Sequence, residues 1–345
     1  MTTVDIVDPR VDPEPTGWQG FVDRQALPPV WTFELLRLES WLTRNPPVLA
    51  IVRDGGEIVA AVTAMVCRPG RKRFATPGVP RLRPHWADAY LPALGGHPAV
   101  VFAAGLEPAA CRKALRAFER AIAHRLGAGL LGVVYRVVEP AAVAAVEGTG
   151  RLVRPTLATT LLRNRWSDVD GWLASLGRER RQGIRRYARK IENDTDLDVR
   201  SGAGRTDLDP HELADLLTTH QSRLGTPRFD HRTPIAGAYL DAFVRRADVH
   251  TLTYRDADDG RLLAFNTLVD HPETPVLHHW AARPVSDGGR YNLYFDCYLR
   301  CVRHMVEHGR PGLSAGRGLL EIKTSLGFEP QNLNAVVAPR PVLGR

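Results

Sequence analysis

RDADDGRLLAFNTLV, residues 255–269, is the stretch that decides the fold of this chain. It has a counterpart in the first half, RDGGEIVAAVTAMV, residues 53–66. Each stretch carries an Asp-Gly pair between two runs of strand-forming residues, since VHTLTY precedes the first stretch and VLAIV the second. An Asp-Gly pair between such runs predicts a β-hairpin. The same local structure is therefore predicted twice, about 200 residues apart.

The elements that follow the two hairpins recur in one order. After the first hairpin the sequence predicts a strand, a helix and a strand, at 99–105, 108–126 and 130–138. After the second it predicts a strand, a helix and a short segment leading to LLEIKTSLGFEP, at 276–282, 293–307 and 312–318. We therefore predict an α/β fold with a mixed sheet (α+β), built as two tandem copies of one domain.

The predicted domains span 21–155 and 156–345, after a loose, acidic and Pro-rich leader at 1–20. Where the domains join, 156–166 is predicted as a strand and 168–193 as mostly helix despite two glycines. The alternative is that the two halves resemble each other by coincidence, because hairpins and amphipathic helices are common.

The composition is that of a globular protein, with 44% hydrophobic residues, and a length of 345 residues favours two domains. The net charge of +8 permits a polyanionic partner such as RNA or a phosphorylated cofactor. The four cysteines form no C-x-x-C pair, and the sequence shows neither a signal peptide nor an apolar run of membrane-spanning length. We therefore expect a reduced, cytoplasmic protein with no membrane partner.

The most basic segment is LGRERRQGIRRYARKI, residues 176–191. Seven of the thirteen residues from Arg178 to Lys190 are Arg or Lys, and only Glu179 is acidic. On a helix six of these seven cations share one face, and the opposite apolar stripe docks on the domain. The predicted basic face consists of Arg178, Arg181, Arg185, Arg186, Arg189 and Lys190, and the predicted stripe of Ile184, Tyr187, Ala188 and Ile191.

Several segments of the second half, in this order, resemble the Fem-type branch of the GNAT acyltransferase superfamily. They are RERRQGIRRYARKIE, RLGTPRFDHRTP, the second hairpin, HHWAARP, RYNLYFDCYLRCVRHMVEHG and EIKTSLGFEP. The resemblance covers about residues 156–335, and the first half is similar to the degenerate partner of a double-GNAT chain. It implies acyl or aminoacyl transfer to an amine, from acyl-CoA or from aminoacyl-tRNA. The members that use tRNA build peptide cross-bridges or attach amino acids to small natural products.

The resemblance also locates the donor loop. A GNAT cofactor loop typically carries a Q/R-x-x-G-x-G/A pattern that holds pyrophosphate on backbone amides. The corresponding segment here is RPVSDGGRYN, residues 283–292, which has two glycines at a different spacing. This departure favours aminoacyl-tRNA as the donor, with no tightly bound cofactor, over acetyl-CoA or another acyl-CoA. The substrate-binding candidates on strand 276–282 and this loop are His279, Trp280, Arg283, Gly288, Gly289, Arg290 and Asn292.

Lys323 is the catalytic candidate. Flanked by Ile322 and Leu326, it is expected beside an apolar wall. In Fem-type tRNA-dependent transferases a late Lys before x-x-aliphatic-Gly stabilises the developing negative charge, and I-K-T-S-L-G matches that position. A general base is a separate requirement, and its candidates are His278, His279, Asp296 and Glu321. In a regular strand His278 and His279 would face opposite sides.

The basic face is predicted to contact tRNA phosphates, because Arg forks suit phosphate oxygens. The alternatives are coenzyme A phosphates or pairing with Asp194, Asp196 and Asp198 just downstream. A basic loop would extend the surface if it folds to the same side; its cations are Arg68, Arg71, Lys72, Arg73, Arg81 and Arg83.

No metal is expected. Helix 293–308 carries a ladder of possible ligands at steps of four, three and four, but one rigid helix rarely closes a metal shell alone. These residues are Cys297, Cys301, His304 and His308. The predicted function is transfer of an aminoacyl group from tRNA to the amine of a small-molecule or peptide acceptor. An acyl-CoA-dependent N-acyltransferase and a non-catalytic RNA-binding protein are the alternatives, and the oligomeric state is left open.

Overall fold

The structure is a computed structural model that describes residues 1–43, 47–68, 83–91, 96–223 and 235–345. The described chain divides into two compact units. The first contains residues up to Thr159 together with Asn332–Arg345, and the second runs from Thr160 to Gln331. The last fourteen residues therefore join the first unit, which differs from the predicted second domain of 156–345.

The first unit is a mixed sheet with helices packed against it. Its strands are β1 (Thr2–Val7), β2 (Pro47–Asp54), β3 (Glu57–Cys67), β4 (His85–Ala89), β5 (Val100–Phe102), β6 (Leu130–Val138), the start of β7 (Leu152–Arg163) and most of β13 (Glu329–Pro339). They follow the order β1-β2-β3-β4-β6-β13 in the sheet, with β5 paired to β3, and the β4–β6 pair is parallel. Its helices are α1 (Trp18–Arg24), α2 (Phe33–Ser40), α3 (Pro108–Leu126), α4 (Pro140–Val146) and the 3₁₀ turns Pro29–Trp31 and Arg340–Val342.

The predicted loose leader at 1–20 is wrong. Thr2–Val7 pairs antiparallel with β2 along its whole length, from Thr2 opposite Asp54 to Val7 opposite Leu49. Helix α1 then begins at Trp18, which is fully buried. Alternation of Val4 and Ile6 with Asp5 gives this short strand one face toward the helices and one toward solvent.

A buried carboxylate holds the C-terminal tail in the first unit. Glu119 of α3 is fully buried and accepts two hydrogen bonds of 2.7 Å from the guanidinium of Arg151. The same carboxylate accepts from the hydroxyl of Tyr135 and, at 2.8 Å, from the backbone amide of Gly344. A buried carboxylate is stable only when it is paired and hydrogen-bonded in this way.

The second unit is again a mixed sheet with helices. Besides the end of β7, its strands are β8 (Leu197–Ala203), β9 (Val249–Asp256), β10 (Leu262–Val269), β11 (Val276–Ala282) and β12 (Gly312–Ser314). They follow the order β7-β12-β11-β10-β9-β8 in the sheet; of these neighbouring pairs, β11–β12 is parallel and the others are antiparallel. Its helices are α5 (Val169–Ser175), α6 (Arg178–Glu192), α7 (Pro210–Arg223), α8 (Gly237–Val244), α9 (Leu293–Glu307), α10 (Leu320–Ser325) and the 3₁₀ turn Val285–Asp287.

Both predicted hairpins form, as β2–β3 and β9–β10. The predicted helix over 168–193 is instead two helices, α5 and α6. The break lies at Leu176, which is buried with an extended backbone, and Gly177 then caps α6. None of the helices in the described ranges combines the length and hydrophobicity needed to span a bilayer.

Candidate active site

Strands β11 and β12 of the second unit meet briefly and then separate. Their parallel pairing places Val276 opposite Ser314, where β12 ends. Strand β11 continues for six further residues to Ala282. The separation opens the sheet on the side of β11 that leads into the loop 283–292. An opening between parallel strands, at their carboxyl ends, is a common position for a ligand site in an α/β sheet.

A β-bulge lies at this opening. Asn266 pairs with Trp280 and Leu268 pairs with Leu277, so His278 and His279 together stand opposite Thr267 alone. The bulge cancels the regular alternation, and the two imidazole rings lie 4.0 Å apart, both against Phe243 of α8. The prediction that the two histidines face opposite sides is therefore wrong. Bulges concentrate next to active sites, because they redirect side chains.

The buried His278 is poorly suited to general-base catalysis. Burial lowers the pKa of His278 to about 3, and its Nε2 lies 3.4 Å from the hydroxyl of Tyr239. An imidazole with so low a pKa holds a proton too weakly to act as a base near neutral pH. His279 is also buried, and its Nδ1 lies 3.0 Å from the hydroxyl of Thr267.

Lys323 of α10 lies at the end of β12, where the two strands part. It is 4% exposed, and its ammonium donates to the carbonyl oxygens of Ala315 and, at 3.3 Å, Gly316. Leu326 is buried beside it and Ile322 partly buried, as expected for an apolar wall. Burial lowers the pKa of Lys323 to about 8. An ammonium has three donors, so two carbonyl contacts leave one proton for an oxygen of a ligand.

Three backbone amides of the loop 283–292 donate hydrogen bonds to carbonyl oxygens of the same loop. The amide of Asp287 donates to Pro284 at 2.9 Å, that of Gly288 to Val285 at 3.2 Å, and that of Gly289 to Pro284 at 2.9 Å. A pyrophosphate-binding loop instead points its amides at the phosphates. Gly289 is required by the packing of this loop, since a Cβ would overlap the carbonyl of Arg283. The amides of Asp287, Gly288 and Gly289 are therefore not directed at a pyrophosphate.

The other predicted substrate-binding residues line this loop and the start of α9. The guanidinium of Arg283 donates to the Leu262 carbonyl at 2.8 Å and pairs with Asp287. Arg290 lies 3.6 Å from a carboxylate oxygen of Asp256. Trp280 packs edge-on against Tyr294 at 5.4 Å. Asn292 precedes α9 with a left-handed φ of 68°. These side chains stabilise the loop, and Trp280 with Tyr294 forms an aromatic surface next to it.

The two acidic candidates for a general base differ in exposure. Asp296 is 2% exposed and accepts hydrogen bonds from the Tyr254 hydroxyl at 2.8 Å and from Arg300 at 2.7 Å. That carboxylate is committed to holding α9 on the sheet. Glu321 is exposed on α10. Neither lies in a position that singles it out as the base.

Helix α6 carries the predicted basic face and the predicted apolar stripe. Ile184 and Ile191 are buried, Ala188 packs against the core, and Tyr187 stacks on Phe295 at 5.6 Å. This docking leaves the cations outward, as the sequence predicts. Arg180, which the prediction omitted, lies 4.8 Å over the ring of Phe295.

Within the described residues, part of the basic face has a partner. Arg185 pairs with Asp170 at 2.9 Å, and Arg181 donates to the Ala174 carbonyl at 3.1 Å. Arg186 contacts the ring of its neighbour Tyr187. Within the described ranges, Arg178, Arg189 and Lys190 have no ion pair. Pairing with the downstream aspartates is not observed there either: Asp198 pairs with Arg200, and Asp194 and Asp196 make turn contacts.

Two further predictions from the sequence concern the basic loop and the ladder of possible metal ligands on α9. In the basic loop, Arg71, Lys72, Arg73 and Arg81 lie outside the described residues, as does most of RLGTPRFDHRTP. The ladder on α9 does not form one cluster, because Cys297 and Cys301 are buried under the helix and Cys301 contacts Asn266. His304 instead faces His250 and Asp270.

Residues 178–324 match the family model of the acetyltransferase (GNAT) domain. The structure of L-PGS from Bacillus licheniformis is similar over 96% of this chain and 98% of its own, with a TM-score of 0.61 at 10% identity. FemX is similar over 92% and 95%, with a TM-score of 0.58 at 12% identity. The chain has a Fem-like double-GNAT fold.

A tandem GNAT protein from the clavulanic acid biosynthesis pathway has the same double-GNAT fold, with a TM-score of 0.52 at 14% identity over 98% of both chains. The predicted α/β fold of two tandem GNAT-like domains is thereby confirmed. A comparison with curated protein sequences finds no significant match. The segment that matches the GNAT domain begins at α6 and ends just after Lys323, so it contains all the predicted site residues.

Proposed function

We propose that this Fem-like double-GNAT protein is an acyltransferase that moves an aminoacyl group from aminoacyl-tRNA to the amine of a small-molecule or peptide acceptor. The observation that carries the proposal is the position of Lys323. A buried cation with one proton to spare, at the point where two parallel strands separate, is suited to bind an oxygen that becomes negative during the reaction.

The reaction follows from this placement. The acceptor amine attacks the ester carbonyl that links the amino acid to the tRNA ribose, which gives a tetrahedral intermediate with a negative oxygen. Lys323 donates a hydrogen bond to that oxygen or to the departing ribose oxygen. The nitrogen loses a proton, the carbon–oxygen ester bond breaks, and the ribose hydroxyl takes up a proton. The products are an amide and deacylated tRNA.

The contacts of the loop 283–292 favour tRNA as the donor over acyl-CoA. The amides of Asp287, Gly288 and Gly289 are satisfied within the loop, so these three are not offered to a pyrophosphate. An aminoacyl-tRNA needs no such cradle, because its phosphates are spread along a backbone that surface cations can bind.

The basic face of α6 supplies such cations. Arg178, Arg189 and Lys190 are exposed and lack ion-pair partners within the described ranges. Like charges on one helix face destabilise one another by tenths of a kcal/mol per pair, and a row of phosphates removes that cost. We assign the tRNA backbone to this face, with Arg181, Arg185 and Arg186 at its margin.

A product screen tests the proposal. The purified protein is incubated with a pool of tRNA charged with labelled amino acids and with a library of primary amines, and new amides are identified by mass spectrometry. A parallel arm replaces the charged tRNA with acetyl-CoA and other acyl-CoA thioesters. Amides that form only in the tRNA arm support the proposal. Amides that form only with the thioesters identify an acyl-CoA-dependent N-acyltransferase, and binding of tRNA without turnover identifies an RNA-binding protein.

A further inference from the structure

A second cluster of ligand-type side chains lies at the other end of the second unit's sheet. His250 is the second residue of β9, Asp270 directly follows β10, and His304 lies near the end of α9. Because Val269 pairs with Val276, this end of the sheet holds the beginning of β11, whereas the loop 283–292 follows its end. The cluster is therefore separated from the loop 283–292 by the length of α9 and β11.

The donor atoms of these residues converge. One ligand atom from each of His250, Asp270 and His304 lies within 4.8 Å of the other two. Nε2 of His304 and Oδ1 of Asp270 are 3.2 Å apart, and the rings of His250 and His304 are 4.5 Å apart. Tetrahedral zinc with bonds of about 2.0–2.1 Å separates its ligand atoms by about 3.4 Å. The two nearer donors already have that spacing, and a small side-chain rotation brings in His250.

The surroundings of the three donor atoms favour a bound cation over a hydrogen bond between the side chains alone. All three residues are half-buried, and they lie at the C-terminal end of α9, where the partial negative charge of the helix attracts cations.

Arg310 completes the arrangement without competing for the ligand atom. Its guanidinium lies 2.6 Å from Oδ2 of Asp270, whereas Oδ1 lies 3.2 Å from Nε2 of His304 and also accepts a hydrogen bond of 2.9 Å from the backbone amide of His271. A hydrogen-bonded second oxygen is the usual support of a carboxylate that binds a metal. His308, although stacked on His304 at 4.2 Å, is exposed and turns its Nδ1 to the carbonyl of His304.

We propose that His250, Asp270 and His304 form a binding site for a divalent transition metal, with Zn²⁺ the best fit. Two imidazoles and one carboxylate are a ligand set suited to this class of ion. The ion joins β9, the end of β10 and the end of α9, three segments that are far apart in the sequence. It fastens the second unit at the end of β11 that is opposite the loop 283–292.

The test is a zinc titration of the full chain after treatment with a chelator. Calorimetry is expected to show one equivalent of Zn²⁺ bound and thermal melting to show a higher Tm with zinc. His304→Ala and Asp270→Asn are each expected to weaken binding at least about tenfold. His308→Ala, next to the cluster but outside the ligand set, is the matched control and is expected to bind as the wild type does.

Cobalt gives a readout that does not depend on the stability of a variant. Co²⁺ bound by the wild-type chain is expected to give the intense visible absorption of a four- or five-coordinate site. A weak six-coordinate spectrum would overturn the proposal. So would equal zinc affinity in the wild type and in a folded His250→Ala/His304→Ala variant, because the ion would then lie elsewhere on the surface.

Discussion

The ammonium of Lys323 lies 3.3 Å from the carbonyl oxygen of Gly316, and the same carbonyl accepts a hydrogen bond of 2.9 Å from the hydroxyl of Thr160. Thr160 belongs to β7, which pairs with β12 through Leu161 and Ser314. The lysine is thus positioned by the strand that borders the opening in the sheet. A cation fixed by neutral carbonyls keeps its full charge for a ligand, whereas a carboxylate partner would neutralise it.

Lys323→Met is expected to lower kcat by about 100- to 1,000-fold, because it removes one donor to the reacting oxygen while keeping the shape of the side chain. Amide formation in single-turnover assays is the measurement. Thr324→Ala, an exposed substitution on the same helix, is the matched control and is expected to retain activity. Full activity in a correctly folded Lys323→Met variant would remove the lysine from the mechanism.

The role of Lys323 as a cation predicts a pH profile. Because burial lowers its pKa to about 8, the ammonium is lost as the pH rises through that value. We expect kcat/KM to fall above about pH 8, and we expect Lys323→Arg, which stays charged, to lose this descending limb. A rate that increases through pH 8 would instead mean that the neutral amine acts as a base.

The same lysine makes stability depend on pH with a known sign. In the unfolded chain its pKa returns to 10.5, so between about pH 8 and 10.5 the unfolded state binds more protons than the folded state. The contribution of this group to the free energy of unfolding therefore rises with pH in that window, by at most about 1.4 kcal/mol per pH unit. Urea unfolding of the wild type and of Lys323→Met at pH 7.5 to 9.5 isolates this contribution. If the difference in the free energy of unfolding between the two proteins did not change with pH, the burial of the charge would be refuted.

Reversing the free cations of α6 is expected to weaken tRNA binding. Arg189→Glu/Lys190→Glu should lower the affinity for tRNA and reduce the slope of log affinity against log salt by about 1 for each phosphate that the variant no longer binds. Arg112→Glu/Arg303→Glu, a double reversal of exposed residues on α3 and α9, changes the net charge by the same amount and is the control. Equal decreases of affinity in both variants would show that only the overall charge matters and that α6 is not the tRNA surface.

Gly289→Ala is expected to disturb the loop 283–292, because the added Cβ meets the carbonyl of Arg283. We expect a loss of about 2 kcal/mol in stability, as for other substitutions that overpack a buried site. Gly318→Ala, whose Cβ meets no atom within 4 Å, is the control and should leave the free energy of unfolding nearly unchanged. An equally stable Gly289→Ala variant would mean that the loop tolerates rearrangement.

The parts of the fold that sequence predicts well are those with local signals. The Asp-Gly turns at 54–55 and 259–260 and the apolar stripe through Ile184 and Ile191 are each encoded within a few residues, and the structure has them where predicted. Strand β1 had a weaker signal, the alternation of Val4, Asp5 and Ile6, which the Pro-rich stretch after it obscured.

Features that depend on distant residues were not predictable. The β-bulge at His278 and His279 follows from the pairing of β10 with β11, and no turn residue marks it. The retention of the tail by Glu119 joins residues 225 positions apart. The cluster of His250, Asp270 and His304 comes from three separate elements, whereas sequence spacing pointed to the cysteines of α9.

The most direct test of the central claim places both donors in one reaction. The protein, an amine acceptor, aminoacyl-tRNA labelled with ³H in the amino acid and acetyl-CoA labelled with ¹⁴C in the acetyl group are mixed at equal concentration, and the label in the isolated amide is counted. We predict ³H in the amide, its loss in Lys323→Met, and no ¹⁴C above background. An amide that carries ¹⁴C and not ³H would contradict the account.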